Sequence, residues 1–481
     1  MRRALVVLTV AVTSTGCLMG PDYQRPVVPT PAEYRDAAPG QDAATIADLP
    51  WWSVFKDPEL LNLIGEAVQN NRDLRVAVAR VEQARAAARI QKAQILPAVG
   101  ANAAAGYGRG SLTFPSEDPR SGAVFSVDAQ VSWEIDVWGR IRRGTEAAVA
   151  QYLATEQGRR ATTVSLVADV GAAYVQLRQL DAQLDVAQRT VKNYQRTLQL
   201  YTDRLSGGAG NKLPVTTGRA QLNDAHAVAL DTERLIVRQE NLLSLLLGRV
   251  PGPIARSRTA PGMHAIGNVP AGLPSTLIER RPDVLSVEQQ LVSANAQIGV
   301  AKADFFPRFS LTALAGFASP DLTQLFNPSK SFVWSAGGSV NWLAPILQGD
   351  ALHGQAEGAS AQWEAAKNAY ESTVLTAFRE VADALDDVKR LDGIVQQREE
   401  EVTNLTEAVG LAVDRFYGGV SSYLEVTTTQ NLLFPAELNL AAVRAQRTTA
   451  FVNLYRALGG GWQLPPPPTP APVEPKAAPP Q

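Results

Sequence analysis

Side chains able to do covalent or metal chemistry are scarce in this 481-residue chain, and one of them stands out by its position. Cys17, the only cysteine, follows Met1-Arg2-Arg3, an apolar run over 4–12 and the small residues Thr13-Ser14-Thr15-Gly16. A basic start, a short apolar segment and small residues make a secretory signal, and the segment is too short to stay in a bilayer as a spanning helix. A cysteine at its end fits a bacterial lipobox, with Ser14 in place of the usual aliphatic residue. In that motif the thiol is diacylated and, after removal of 1–16, becomes the new N-terminus. Each chain contributes about 0.8 kcal/mol per buried CH₂, so several chains make a stable anchor. Leu18, rather than Asp, beside it points by the enterobacterial sorting rule to the outer membrane. The plain alternative is an ordinary cleavage site near an incidental cysteine. In either case a lone cysteine excludes an internal disulfide and a multi-cysteine metal site.

No other constellation suggests catalysis. His226, His264 and His353 are far apart and lack metal-ligand spacing. Gly207-Gly208 and Gly418-Gly419 have no following Lys-Ser/Thr, so they read as helix breakers rather than phosphate loops. Asp383, Asp386 and Asp387 read as a solvated helix face. With 45 basic and 47 acidic residues and a net charge of −2, no basic field argues for nucleic acid. The expectation is a protein without enzymatic activity, resident metal or cofactor, apart from covalent lipid on Cys17.

What remains is architecture, and it is written twice. A 3/4 apolar seam runs through Val167, Tyr174, Leu177, Leu184, Val191, Tyr194 and Tyr201. It returns 211 positions later through Phe378, Leu385, Val388, Val395, Val402, Leu405 and Ala412. A repeat of about 3.5 residues held over so many turns predicts coiled-coil packing. Each seam ends in a Gly-Gly turn, after which Asn211 or Ser422 stands where the returning helix needs its N-cap, Ser422-x-x-Glu425 reading as a capping box. A helix running unbroken over 139–205 would be roughly 100 Å long, too long for a globular core. Returning helices are expected over 215–247 and 424–458.

Ahead of each hairpin, a helix is expected from 58 to Leu96-Pro97 and another over 284–303 up to Phe306-Pro307. Each is followed by two alternating segments, 99–107 with 124–137 and 309–317 with 332–342, joined by loops 108–123 and 318–331. Segments of about ten residues with one apolar face, one polar face and aromatic ends resemble outer-membrane barrel strands, although a soluble sheet packed on helices alternates in the same way. In lipid, four strands cannot close on themselves, so several copies must share a barrel. The divisions are a signal segment 1–16, an extended segment 17–57, a first repeat 58–250, a linker 251–272, a second repeat 273–461 and a Pro-rich tail 462–481.

With these features the chain is similar to the outer-membrane factor family of tripartite efflux pumps, the TolC-like and NodT-type lipoproteins. The likeness covers nearly the whole mature chain. It rests on Cys17 with Gly20-Pro21-Asp22-Tyr23, Trp51-Trp52 with Phe55 and Asp57-Pro58, and Asn71-x-Asp73-Leu74. Further matches are Trp133-Glu134-Ile135-Asp136-Val137-Trp138-Gly139-Arg140, Leu273-Pro274-Ser275, Arg280-Arg281-Pro282-Asp283, Phe305-Phe306-Pro307, and Tyr370-Glu371 with Val374-Leu375. The resemblance implies a mainly α fold with membrane β structure. Its form would be a homotrimeric, twelve-stranded barrel, four strands per chain, continued by a periplasmic α-helical barrel closed at its inner tip. The implied function is passive export of small molecules and drugs, with a periplasmic adaptor (membrane fusion) protein and an inner-membrane transporter as partners. The exit duct of a type I protein secretion system, or a lipid-anchored coiled coil without a pore, are the alternatives. Within the implied trimer, Leu213 and Leu424 would bring six leucines to the closing tip, where an apolar ring blocks ions by dewetting. Glu425 would add a carboxylate ring unless it serves the capping box. The turns carrying Arg204, Gly207, Gly208, Arg415, Gly418 and Gly419 would dock the adaptor.

Overall fold

A computed structural model describes residues 17–31, 49–109, 121–256, 274–342 and 345–462. The signal segment, most of the 251–272 linker, the centre of the 108–123 loop and nearly all of the 462–481 tail, with His264, lie outside the described residues. In chain order the helices are α1 (Trp51–Val54), α2 (Pro58–Asn70), α3 (Arg72–Ala93), α4 (Arg140–Ser206), α5 (Lys212–Leu246), α6 (Pro274–Arg280), α7 (Pro282–Ala303), α8 (Pro328–Ser331), α9 (Pro345–Tyr417) and α10 (Tyr423–Ala457). The chain divides into two compact units, each drawing on both sequence repeats. A sheet unit comprises Met1–Val28, Val78–Gln157 and Leu285–Thr373, and a hairpin unit comprises Pro29–Ala77, Gly158–Val284 and Val374–Gln481.

The sheet unit holds β1 (Ala98–Arg109), β2 (Ser121–Ile135), β3 (Arg308–Ser319) and β4 (Phe332–Asn341), antiparallel and in that order. Register sets the faces. Trp133 opposes Leu311, Ile135 opposes Phe309, and Phe309 opposes Val340, so the apolar positions of successive strands fall on one side. Asp128, Gln130, Ser132, Glu134, Ser310, Thr312, Ser335 and Ser339 share the other side. β2 stops at Ile135, short of the alternation that runs on to Val137, because Asp136 turns to cap α4. The 320–331 connection is more than a loop: it holds a 3₁₀ turn at Leu322–Gln324 and α8, started by the side chains of Asp321 and Asn327.

In the hairpin unit α4 and α5 form the first hairpin and α9 and α10 the second. The first seam is a core: Val186, Ala187, Val191 and Tyr194 of α4 pack with Ala225 and Ala229 of α5 and Phe434 of α10. The second seam is only partly one. Leu385, Val395 and Ala412 are buried, whereas Phe378, Val388, Val402 and Leu405 keep partial exposure. The single helix read from 58 to 96 is broken at Asn71, whose ψ of 132° leaves the helical region. Past the break Val76 and Val78 lie exposed.

The break has a purpose that recurs. Asn71 Oδ1 accepts from the Leu74 amide, starting α3, while Nδ2 donates to the Leu246 carbonyl, ending α5. Its counterpart in the second repeat, Arg281, separates α6 from α7 and donates to the Ala457 carbonyl at the end of α10. Each staple satisfies a carbonyl that the helix end leaves open.

Candidate functional site

The two hairpin turns are built alike. Amides of Gly207, Gly208 and Ala209 donate to the carbonyls of Asp203, Leu205 and Arg204; those of Gly418, Gly419 and Val420 repeat the pattern on Asp414, Phe416 and Arg415. This Schellman closure places one residue in the left-handed region, and only Gly208 (φ 76°) and Gly419 (φ 73°) occupy it. Gly207 and Gly418 are helix-end residues without that demand. No atom stands within 4 Å of a Cβ added at Gly208 or Gly419, so both turn surfaces are open.

Beyond the turns the hairpins diverge. Asn211 caps α5 as expected, its side chain accepting from the Leu213 amide at 3.0 Å. Ser422 holds the N-cap position of α10 but its hydroxyl makes no capping bond, and the expected capping box is not formed. The Glu425 carboxylate lies instead 3.4 Å from the Arg415 guanidinium, in an exposed ion pair across the turn. Pro214 occupies the position of Glu425 in the first hairpin, so Arg204 has no equivalent acid. Its guanidinium instead lies over the Phe416 ring of the second hairpin, 4.7 Å from the centroid. Tyr201 meets Phe416 and Tyr423 edge-on at 5.8 and 6.1 Å. Leu213 and Leu424 sit in the first turns of α5 and α10, each 60% exposed. Sequence reasoning missed the Arg204–Phe416–Tyr201–Tyr423 cluster. Its signal was the aromatic side chains at the ends of the two seams.

In the sheet unit, the segment following Cys17 is clamped onto α4 and α7. Arg143, almost fully buried, donates to the Met19 and Gly20 carbonyls and to Asp22. Asn295 donates to the Pro21 carbonyl, and Arg25 and Tyr23 both bond Glu288. Gly20 (φ 87°) crosses Gly299 so closely that an added Cβ would stand 2.5 Å from the Gly299 Cα. The Gly-Pro-Asp-Tyr run is thus a strap, and it leaves the exposed Cys17 beside the Trp138–Gly139 junction, where Leu18 packs on Gly139.

That junction explains another sequence motif. Glu134 and Arg140 pair through both carboxylate oxygens, Asp136 accepts the Ile141 and Arg142 amides, and Trp138 donates to the Pro307 carbonyl while stacking on Phe306 at 4.7 Å. The Trp133 and Trp342 indoles likewise donate to the Ile95 and Phe305 carbonyls. These tryptophans thereby mark the helix-side end of the sheet. Along the strands Val99, Tyr107, Leu311, Phe332, Trp334 and Val340 stand exposed, an apolar sheet face that water does not favour.

Among the described residues no three His, Cys, Asp or Glu side chains converge to hold a metal. His353 packs on Phe305 at 5.2 Å, and Asp386 pairs with Arg390 one turn on. No described helix is long and apolar enough to cross a membrane.

A family model described as outer membrane efflux protein matches residues 63–249 and 273–460. The chain belongs to that family. Among its relatives, a solvent efflux pump outer membrane protein, SrpC of Pseudomonas putida, is 38% identical over 93% of this chain and 96% of its own length. The cation efflux system protein CusC of Escherichia coli O6:H1 is 32% identical over 95% of this chain and 99% of itself. The solved outer-membrane channel OprN superposes with a TM-score of 0.85 at 30% identity, covering 93% of this chain and all of that one. The open state of the MtrE channel of Neisseria gonorrhoeae gives 0.82 at 30% identity over 93% of this chain and 99% of that one. This outer membrane efflux protein therefore has the fold of TolC-like channels, and it resides in the outer membrane as a channel component of efflux. The family is one of channels, not enzymes. A coiled coil without a pore would leave the exposed apolar sheet face without a purpose.

Proposed function

We propose that three copies of this efflux protein form one duct, their twelve strands closing a barrel and their hairpins forming a tube that ends at the Gly208 and Gly419 turns. The observation that carries this reading is the four-stranded sheet, with one exposed apolar face and unpaired edges on β1 and β4. Open edges are not tolerated in lipid, and a shared barrel removes them. The cargo is small organic molecules, as in the relatives named for solvent and antibiotic efflux, and transport through the duct is passive. A periplasmic adaptor and an inner-membrane transporter supply cargo and energy. The adaptor docks on the turns, where Gly207, Gly208, Gly418 and Gly419 let another backbone approach and Arg204 and Arg415 offer charge. Leu213 and Leu424 close the inner end as an apolar ring. Glu425, with Arg415 beside it, contributes less net charge there than a free carboxylate. Acylated Cys17 anchors the strap to the membrane.

Complementation tests this. In cells lacking their own channel but retaining a compatible adaptor and transporter, expression of this protein restores export of a fluorescent dye. Full-length protein in the outer membrane with no restored export would refute the duct reading.

A further inference from the structure

We propose that neighbouring copies lock together along a charged seam, the basic stripe Arg85, Arg89 and Lys92 on α3 of one copy meeting the acidic stripe Asp350, Glu357 and Glu364 on α9 of the next. This rests on the trimeric reading above and adds what sets one copy against another.

One groove is lined by α3, α4 and α7, through Ala84, Gln91, Gly144, Gln151 and Gln297. A second is lined by α4, α7 and α9, through Gln151, Gln290, Gln297, Gln355 and Gln362. The helices therefore lie side by side as α3, α4, α7, α9, in the order of the strands they adjoin. α3 and α9 are the outermost, as β1 and β4 are the sheet edges.

Each outer helix carries charge on its free side. On α9 the groove residues Gln355 and Gln362 are each followed two places later by Glu357 and Glu364. Two residues turn an α-helix by about 200°, so the acids point away from α7. Asp350 precedes them at the same seven-residue interval, and all three are exposed. On α3 the groove side carries Ala84, Ala87, Gln91 and Gln94, and the exposed Arg85, Arg89 and Lys92 share the other flank. Within the chain these charges are little used. Arg85 approaches Glu82, and Glu364 approaches Lys367, each at 3.7 Å on exposed surface. Arg89, Lys92, Asp350 and Glu357 have no ion-pair partner among the described residues.

The strand-side parts of the two stripes overlap in level, Asp350 and Glu357 facing the basic residues and Glu364, about 28 Å from its helix end, extending beyond Arg85. Lys92 and Arg89 lie in the last turns of α3 before β1, and Asp350 lies in the first turns of α9 after β4. At about 1.5 Å per residue, Arg85 is about 12 Å from its strand-side helix end and Glu357 about 18 Å from its own. Pairing the free β4 edge of one copy with the free β1 edge of another brings the stripes side by side. Beside the acids, Gly354 has open space where a Cβ would be, so another helix can come close. Such a head-to-tail contact repeats into a closed ring, and complementary charge favours one register over its neighbours.

Zero-length carbodiimide coupling of the unmodified protein in detergent tests the contact directly. Lys92 is the sole lysine of α3, and α4 and α7 separate it from α9 within one chain, so a Lys92–Asp350 or Lys92–Glu357 link arises only between copies. That link is expected in the trimer band, and trimers yielding peptides from both helices without any such link overturn the seam. Charge reversal supplies the second arm. Arg85→Glu/Arg89→Glu/Lys92→Glu, and separately Asp350→Lys/Glu357→Lys/Glu364→Lys, should each lower trimer yield at low salt at least tenfold. Both sets in one chain should restore it. Wild-type yield from either single set, or no restoration in a combined variant of normal helicity, overturns the proposal. Wild-type protein found wholly monomeric would instead refute the trimeric reading itself.

Discussion

Phe416→Ala removes one of the rings that join the two hairpin tips. Two contacts are lost: the Arg204 guanidinium over the ring at 4.7 Å and the edge-on Tyr201 at 5.8 Å. A cation–π contact at a partly exposed site contributes about 0.5–1 kcal/mol, and an aromatic pair about 0.5–1.5 kcal/mol. Their sum, about 1–2.5 kcal/mol, corresponds to a roughly 5–70-fold shift in a two-state equilibrium if opening separates the tips. Single-channel recording in planar bilayers reads this as longer open time. Phe416→Leu, which keeps bulk but loses the ring, should show most of the effect, whereas Tyr417→Ala, at an exposed neighbour, should show little. An open probability unchanged in Phe416→Ala would show that the cluster does not hold the tip closed.

Four further outcomes are expected. Fatty-acid labelling should tag the wild type and not Cys17→Ser, and equal labelling of both would exclude acylation at Cys17. Leu213→Ala/Leu424→Ala should raise single-channel conductance and sensitise cells to large antibiotics, while Glu425→Gln, by leaving Arg415 unpaired, should lower cation preference; unaltered conductance in the leucine variant would place the constriction elsewhere. Replacing Gly208 and Gly419 by bulky residues should abolish export while leaving trimers intact, and normal export would remove the turns from adaptor docking. Arg281→Met should destabilise by about 2 kcal/mol in urea titration, below the roughly 3–5 kcal/mol of a broken buried pair because Asp283 and Glu380 are partly exposed. For Asp283, burial raises the carboxyl pKa and the Arg281 hydrogen bond and charge lower it, with a net fall. A lowered folded value means that its contribution is fully present above the unfolded pKa of about 3.9 and is lost as pH falls through the folded value. The Arg281 effect should therefore hold from neutrality down to that range and shrink only in stronger acid.

Much of this architecture is legible in the sequence because it is periodic. The 67 residues of α4 and the 35 of α5 follow the breaks at Gly139 and Gly207-Gly208, and β2 follows its uninterrupted alternation. What escaped was local competition between side chains. Ser422-x-x-Glu425 has capping-box spacing, but spacing does not reveal that Arg415 arrives from the other side of the turn. Asn71 lies inside a convincing apolar period and breaks it because the end of α5, 175 positions away, supplies a carbonyl. The second seam looks as apolar as the first and stays partly exposed, because a one-dimensional pattern does not say whether its partner is in the same chain. At the candidate site, positions of the turns and leucines were readable from the duplication. The aromatic cluster was not, since Arg204 turns to Phe416 only where Pro214 removes the acid that its counterpart uses.

The most direct test of the central claim, that copies of this chain join into a conducting duct, combines native mass and conductance on one preparation. Purified full-length protein in detergent should run as a particle of three chain masses, and the same particles should give discrete ionic steps in planar bilayers. A monodisperse monomer, or a trimer that inserts into bilayers and never conducts even after Leu213→Ala/Leu424→Ala/Phe416→Ala, would contradict the account.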